Sequence, residues 1–299
     1  MKAILTALFL ISLFSAKCQP ARKTLEKAYK NNNPKLLKTF FENWRKEIPP
    51  VSEQELSKLN NTLKNAYAVF RAFYRPEDIS SLGGCEFGND IYKNADYLLV
   101  QNHIFIYKSH GKFQNLPPDP DDYTIKNISK NRKQDSLKAV DTYKTNLIKS
   151  ILHTKTLTDL STEDGKEVLI DSIMNFRPGY TGSVKKAIFL NSKYRKILTD
   201  FLQNEHSNLG DGGIMNPAQA QGESEKRKKF LERFIKIYYG HWGGYWQLHS
   251  YPYCGSITFD KDMQYAKIAF TMVYEGGETV LKKTASGWKI VSSRRTWIE

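Results

Sequence analysis

Residues Tyr238 to Tyr253 hold five tyrosines, two tryptophans and two histidines within sixteen positions. On an extended strand Tyr245, Gln247, His249 and Tyr251 share one face, and Trp246 and Leu248 share the other. The second pair suits a core. The first set places flat rings beside hydrogen-bonding groups, which suits the floor of a pocket for a small polar ligand such as a sugar. With His241 and Trp242 from the same run, the candidate ligand-binding set is His241, Trp242, Tyr245, Gln247, His249 and Tyr251. Gly243 and Gly244 allow a bend or a close backbone approach. The plainer alternative is that these rings fill a sheet–helix interface and only their polar tips reach water.

His249 has the residue type for general acid–base work, because imidazole titrates near neutrality. It would need a partner, and Asp260, Asp262, Glu275 and Glu278 lie on nearby expected strands or turns. That pattern is compatible with a cell-envelope hydrolase or isomerase. Other chemistries lack their signatures. His241 and His249 are eight apart, with no HExxH and no cysteine cluster, so no metal site is expected. No G-x-S-x-G elbow occurs, and Gly210-Asp211-Gly212-Gly213 matches neither a phosphate loop nor a dinucleotide fingerprint, so no cofactor is expected. The catalytic residues stay unknown, and a non-enzymatic binding or accessory protein is the preferred reading. A structural module presenting basic helices to an anionic surface is the third.

The chain begins like an export signal. Lys2 precedes an apolar run from Ala3 to Ala16, and small residues follow. Residues 1–19 are therefore expected to be a signal peptide, which places the protein in the periplasm or outside the cell. Cleavage after Cys18 frees it. Cys18 could instead resemble the lipidated cysteine of a bacterial lipoprotein, although Lys17 stands where that pattern takes a small residue. No later stretch is apolar for long enough to span a bilayer. The remaining pair, Cys85 and Cys254, could form a disulfide in an oxidising compartment or stay as buried thiols.

The formal charge is +14, and +14 less Lys2 and Lys17 leaves +12. A basic surface favours anionic partners, an anionic envelope component among them. The densest runs are 126–138 and Lys226-Arg227-Lys228-Lys229, both of which read as solvated faces. No nucleic-acid-binding motif accompanies them, so specific nucleic-acid binding is not expected.

The elements that must position these residues read as an α+β protein. Residues 22–31 form a first helix. Asn33-Pro34 caps and starts a second, carrying Leu37, Phe40, Phe41 and Trp44. Ser52-Glu53-Gln54-Glu55 is a capping box, with Val51 and Leu56 as a hydrophobic staple. One helix is expected from there to Pro76. Residues 97–100 and 103–107 read as a small hairpin around Gln101-Asn102. A loop at 117–122 and a polar stretch at 127–135 mark the expected boundary between a helical domain, 20–123, and an α+β domain, 136–299. Residues 137–151 can form a helix. Residues 167–176 could be strand or helix. A strand at 186–190 leads into a helix capped by Asn191-Ser192. Ser224 is expected to cap a helix running to Gly240. Strands follow from Tyr245, with hairpin turns at Gly276-Gly277 and Ser286-Gly287. Ala266, Ile268, Phe270, Met272 and Tyr274 alternate with Lys267, Thr271 and Glu275, the sign of an antiparallel sheet with one buried face.

The ending Ala266-Lys267-Ile268-Ala269-Phe270, Tyr274-Glu275-Gly276-Gly277-Glu278 and Gly287-Trp288-Lys289-Ile290-Val291 resembles the C-terminal sheet of NTF2-like domains. The resemblance covers residues 224–299. It implies a curved antiparallel sheet covered by helices in a cone-shaped half-barrel enclosing a pocket. That family hosts enzymes, binders and scaffolds alike, so no activity follows from it. As a whole the chain resembles an exported bacterial protein.

Overall fold

A computed structural model describes residues 20–82, 89–110, 167–180, 185–202, 222–239 and 246–298. Helices α1 (20–30) and α2 (Pro34–Glu47) form as the pattern requires. Asn33 has an extended backbone, and its side chain accepts the Leu36 N–H at 3.0 Å. Leu37, Phe40, Phe41 and Trp44 form the buried face of α2. The capping box is complete: Ser52 Oγ accepts the Glu55 N–H at 3.1 Å, and Glu55 returns a carboxylate oxygen to the Ser52 N–H at 2.7 Å.

The single helix expected after it is two, α3 (Glu53–Ser57) and α4 (Asn61–Phe73). Asn60 breaks the run. It takes an extended backbone (ψ 168°) and its side chain accepts the Leu63 N–H, acting as a second N-cap. The apolar period continued across the break because both helices bury the same side.

The expected hairpin is corrected. Strands β1 (Tyr97–Gln101) and β2 (Ile104–Lys108) are present but do not pair with each other. All five residues of β1 are buried, and it pairs in parallel with a later strand, β4 (Lys186–Leu190). Gln101 and Asn102 are not an exposed turn. Gln101 bridges to Cys254, donating from Nε2 to its carbonyl and accepting its N–H at Oε1, both at 2.7 Å. Asn102 donates to the Phe176 carbonyl at 2.9 Å. Both amides therefore do the work of backbone partners, and the chain turns out of one sheet into another.

That other sheet has six strands in the order β10-β9-β8-β7-β2-β3. Strand β3 (Val168–Ile173) settles the ambiguous segment as an outer strand, with Val168, Leu169 and Ile170 exposed. Strand β7 (Tyr253–Phe259) runs parallel to β2, while β8 (Tyr265–Met272), β9 (Glu275–Thr284) and β10 (Gly287–Ile298) continue as an antiparallel meander. The alternation in β8 holds: Ala266, Ile268, Phe270 and Met272 are buried. The turn before β9 is corrected. It falls at Val273, which takes a positive φ of 53°. Gly276 and Gly277 lie inside β9, where a Cβ would meet the Trp297 ring and the Arg294 carbonyl. The glycines are there for close approach of β10. The turn at Gly287, with φ 112°, stands as expected.

Helix α4 packs on the meander. Phe73 of α4 lies 5.7 Å from the Phe270 ring, and Trp288 Nε1 donates to Asn65 at 3.0 Å. Helix α5 (Ser192–Leu202) has the expected Asn191 cap, bonded to the Tyr194 N–H at 3.0 Å. Helix α6 (Glu223–Leu231) begins one residue before Ser224, which is buried in its first turn, and ends nine residues short of Gly240. Strand β2 pairs in parallel with β7, and the buried face of α4 belongs to the same apolar core. Among the described residues no helix is long and apolar enough to cross a membrane.

Candidate functional site

The ring-rich segment is placed by three short anchors. Strand β5 (Tyr238–Tyr239) pairs with β6 (Trp246–Gln247), which sets Tyr239 against the Trp246 ring at 4.5 Å. Leu248 is buried. Ser250 is stitched to β1: its N–H donates to the Leu99 carbonyl and its Oγ accepts the Leu99 N–H, both at 2.8 Å. A cis Tyr251–Pro252 bond then leads into β7.

These anchors bring Gln247, His249 and Tyr251 together on one open hollow of about 310 Å³. That size lies at the lower end of small-molecule sites, roughly 300–1,000 Å³. Trp246, expected in the core, is half-buried and lines the hollow as well. His241, Trp242 and Tyr245 lie outside the described residues. The remaining wall was not anticipated: Arg195 from α5, Tyr253 and Thr271 from neighbouring strands, and Trp297 from β10. Tyr253 and Thr271 are cross-strand partners, so their side chains emerge side by side. Tyr253 belonged to the aromatic run and carried a signal. Arg195 stood on an ordinary amphipathic helix and carried none.

The polar groups divide into those already satisfied and those open. Tyr251 donates its hydroxyl to Gln247 Oε1, and Gln247 Nε2 donates to the Val273 carbonyl at 3.3 Å. Gln247 thus braces the wall. His249 meets a cation and not a carboxylate: Arg195 Nη2 donates to its Nε2 at 2.7 Å. Burial, and then the Arg195 charge, push the His249 pKa down to about 3, so the ring is neutral at physiological pH. Burial raises the Tyr253 hydroxyl above its ordinary range, so it stays a neutral donor.

None of the four acids considered for His249 lines the hollow. Asp260 is buried in a turn, accepting the Gln264 and Tyr265 N–H groups at 2.7 and 2.9 Å. Glu278 lies 3.6 Å from Arg294. Glu275, expected on the solvent face, is fully buried and paired with Arg295 at 3.0 Å. Asp262 also stands outside the lining. Among the described residues no group of three or more His, Cys, Asp or Glu could hold a metal ion. Cys254 is a free, buried thiol; Cys85, its candidate disulfide partner, lies outside the described residues.

Comparison with protein-family models, curated proteins and solved structures returns no match.

A second hollow, of about 370 Å³, is lined by Lys38, Lys93, Lys185 and Lys186 with Asp96. Lys186 is paired with Glu42 at 2.5 Å, and Lys185 donates to the Ala95 carbonyl at 2.9 Å. The basic run at 226–229 is partly structural. Arg227 lies over the Tyr29 and Phe201 rings and pairs with Glu26 and Glu223, and Lys228 pairs with Glu232 at 3.0 Å. Only Lys226 and Lys229 of that run are exposed. The other dense run, 126–138, lies outside the described residues.

Proposed function

We propose that this chain is an exported, non-enzymatic binding or accessory protein whose hollow beside β6 and β7 takes one small polar ligand. The supporting observation is the convergence of Gln247, His249 and Tyr251 on one open space walled by Trp246, Tyr253 and Trp297. Rings supply apolar contact area at low entropic cost, and the polar groups between them fix orientation. A neutral His249 paired with a cation, and no acid among the described residues of the lining, favour binding over acid–base catalysis. The proposal includes export, supported by the Lys2 to Ala16 pattern. It also includes the NTF2-like reading of 224–299, supported by a helix followed by the β7–β10 antiparallel meander. An anionic envelope component is the second candidate partner, supported by the +14 charge and the lysine-lined hollow.

The test is a tryptophan-fluorescence and thermal-shift screen of small sugars and organic acids. A ligand that shifts both signals, and does so less in Trp246→Ala and Trp297→Ala, is the expected result. Identical responses in the folded variants and the parent overturn the pocket.

A further inference from the structure

We infer that the hollow selects a carboxylate carried on a ring, with Arg195 as its anchor; this rests on the binding reading above. Helix α5 carries three basic residues close together, and two of them have acids. Lys193 pairs with Glu47 at 2.5 Å and Lys196 with Asp200 at 3.1 Å. Arg195 lies between them in sequence and instead reaches the hollow, where its described polar partner is the imidazole of His249. No acid lines that space among the described residues. Arg195 is exposed on α5, so its guanidinium stands at the open side of the hollow and is accessible to an incoming anion.

The imidazole matters for geometry. One guanidinium N–H is committed to His249 Nε2, and four remain. Because His249 is neutral, it orients the fork without neutralising it or adding a competing charge. Two further groups face the same space: Tyr253 and Thr271, whose hydroxyls have no hydrogen-bond partner among the described residues. Among the described residues the hollow therefore offers a cation, two hydroxyls and the Trp246 and Trp297 rings, and no competing acid. A carboxylate suits the planar fork, which meets its two oxygens with parallel N–H groups. The tryptophan faces suit the ring that carries it. An acidic sugar and an aromatic acid both have this chemistry.

The experiment is calorimetric titration of the purified mature chain with four probes: glucuronate, glucose, benzoate and benzyl alcohol. Each acid should bind at least about tenfold more tightly than its neutral counterpart, the discrimination expected of one charge-assisted anchor. Arg195→Gln should remove that discrimination, so that each acid binds no more tightly than its neutral counterpart in a variant that circular dichroism shows to be folded. His249→Phe should narrow the acid-over-neutral ratio, whereas His249→Gln, which keeps an acceptor for Arg195, should restore much of that ratio. Glucuronate binding without benzoate binding assigns the acidic sugar, and the converse assigns the aromatic acid. If neutral and acidic probes bind alike, and Arg195→Gln changes nothing, the anion inference is overturned and the pocket stands. If no probe binds and tryptophan fluorescence is unmoved, the pocket reading itself falls, and this inference with it.

Discussion

Arg195 Nη2 stands 2.7 Å from His249 Nε2, so the imidazole accepts and carries its own proton on Nδ1. This contact gives His249 a measurable signature in stability. Its pKa falls from 6.5 when unfolded to about 3 when folded, chiefly through burial and then through the Arg195 charge. Between those values the unfolded chain binds the proton that the folded chain refuses. The contribution is fully present above pH 6.5 and is lost as pH falls toward 3. One proton permits a slope of at most about 1.4 kcal/mol per pH unit. His249→Gln keeps an acceptor and cannot titrate. Urea unfolding at pH 7, 5.5 and 4 should show the parent losing stability relative to this variant as pH falls. A constant difference across that range would mean that His249 is solvated.

Gly277 is expected to be among the least replaceable residues of the sheet. A Cβ there would meet the Arg294 carbonyl, which is backbone and cannot swing away. Gly277→Ala should cost about 1–3 kcal/mol or more through forced separation of β9 and β10. Gly287→Ala meets no atom within 4 Å, but sits at φ 112° and should cost only about 1 kcal/mol of backbone strain. Thermal denaturation of the two variants should rank them in that order. Equal losses would place the penalty in glycine entropy alone.

The Glu275–Arg295 pair joins the ends of β9 and β10, with Glu275 fully buried and Arg295 about a quarter exposed at 23%. Removing the cation leaves a buried carboxylate without its counter-charge. Arg295→Ala should destabilise by roughly 3–5 kcal/mol at neutral pH. Replacing both partners with apolar residues, Glu275→Leu with Arg295→Met, should recover much of it, because the desolvation cost disappears with the charges. A double variant no more stable than Arg295→Ala would show that the side chains matter for packing and not for charge.

Local signals were legible in the sequence, and distant partners were not. Asn33-Pro34 and the Ser52–Glu55 box act within four residues, and both caps form as read. The period of two in β8 is likewise a local consequence of one buried face. Gln101 looked like a turn residue because its real partner, Cys254, is 153 positions away. Gly276-Gly277 looked like a hairpin turn because glycine has two uses, and only the position of β10 shows that the use here is close approach. The candidate site divides in the same way. Gln247, His249 and Tyr251 were legible as one face of an extended segment. Arg195, 54 positions from His249, was not, because nothing distinguishes an arginine on the outer side of an amphipathic helix until the sheet is folded beneath it.

Cys254 should be silent toward thiol reagents in the native protein. It is fully buried, its thiol lies 3.6 Å from the Ser256 carbonyl, and burial pushes its pKa far above the ordinary thiol range. The thiolate is the reactive species, so both its access and its concentration are suppressed. Alkylation with iodoacetamide, followed by peptide mass analysis to separate Cys254 from Cys18 and Cys85, should leave Cys254 unmodified under native conditions. In denaturant without reductant it should label fully, as a free thiol does. Labelling that appears only after reductant is added would reveal a disulfide at Cys254. Rapid labelling of the native chain would mean that the segment linking Gln101 to Cys254 opens, and with it the anchor that holds the ring-rich wall in place.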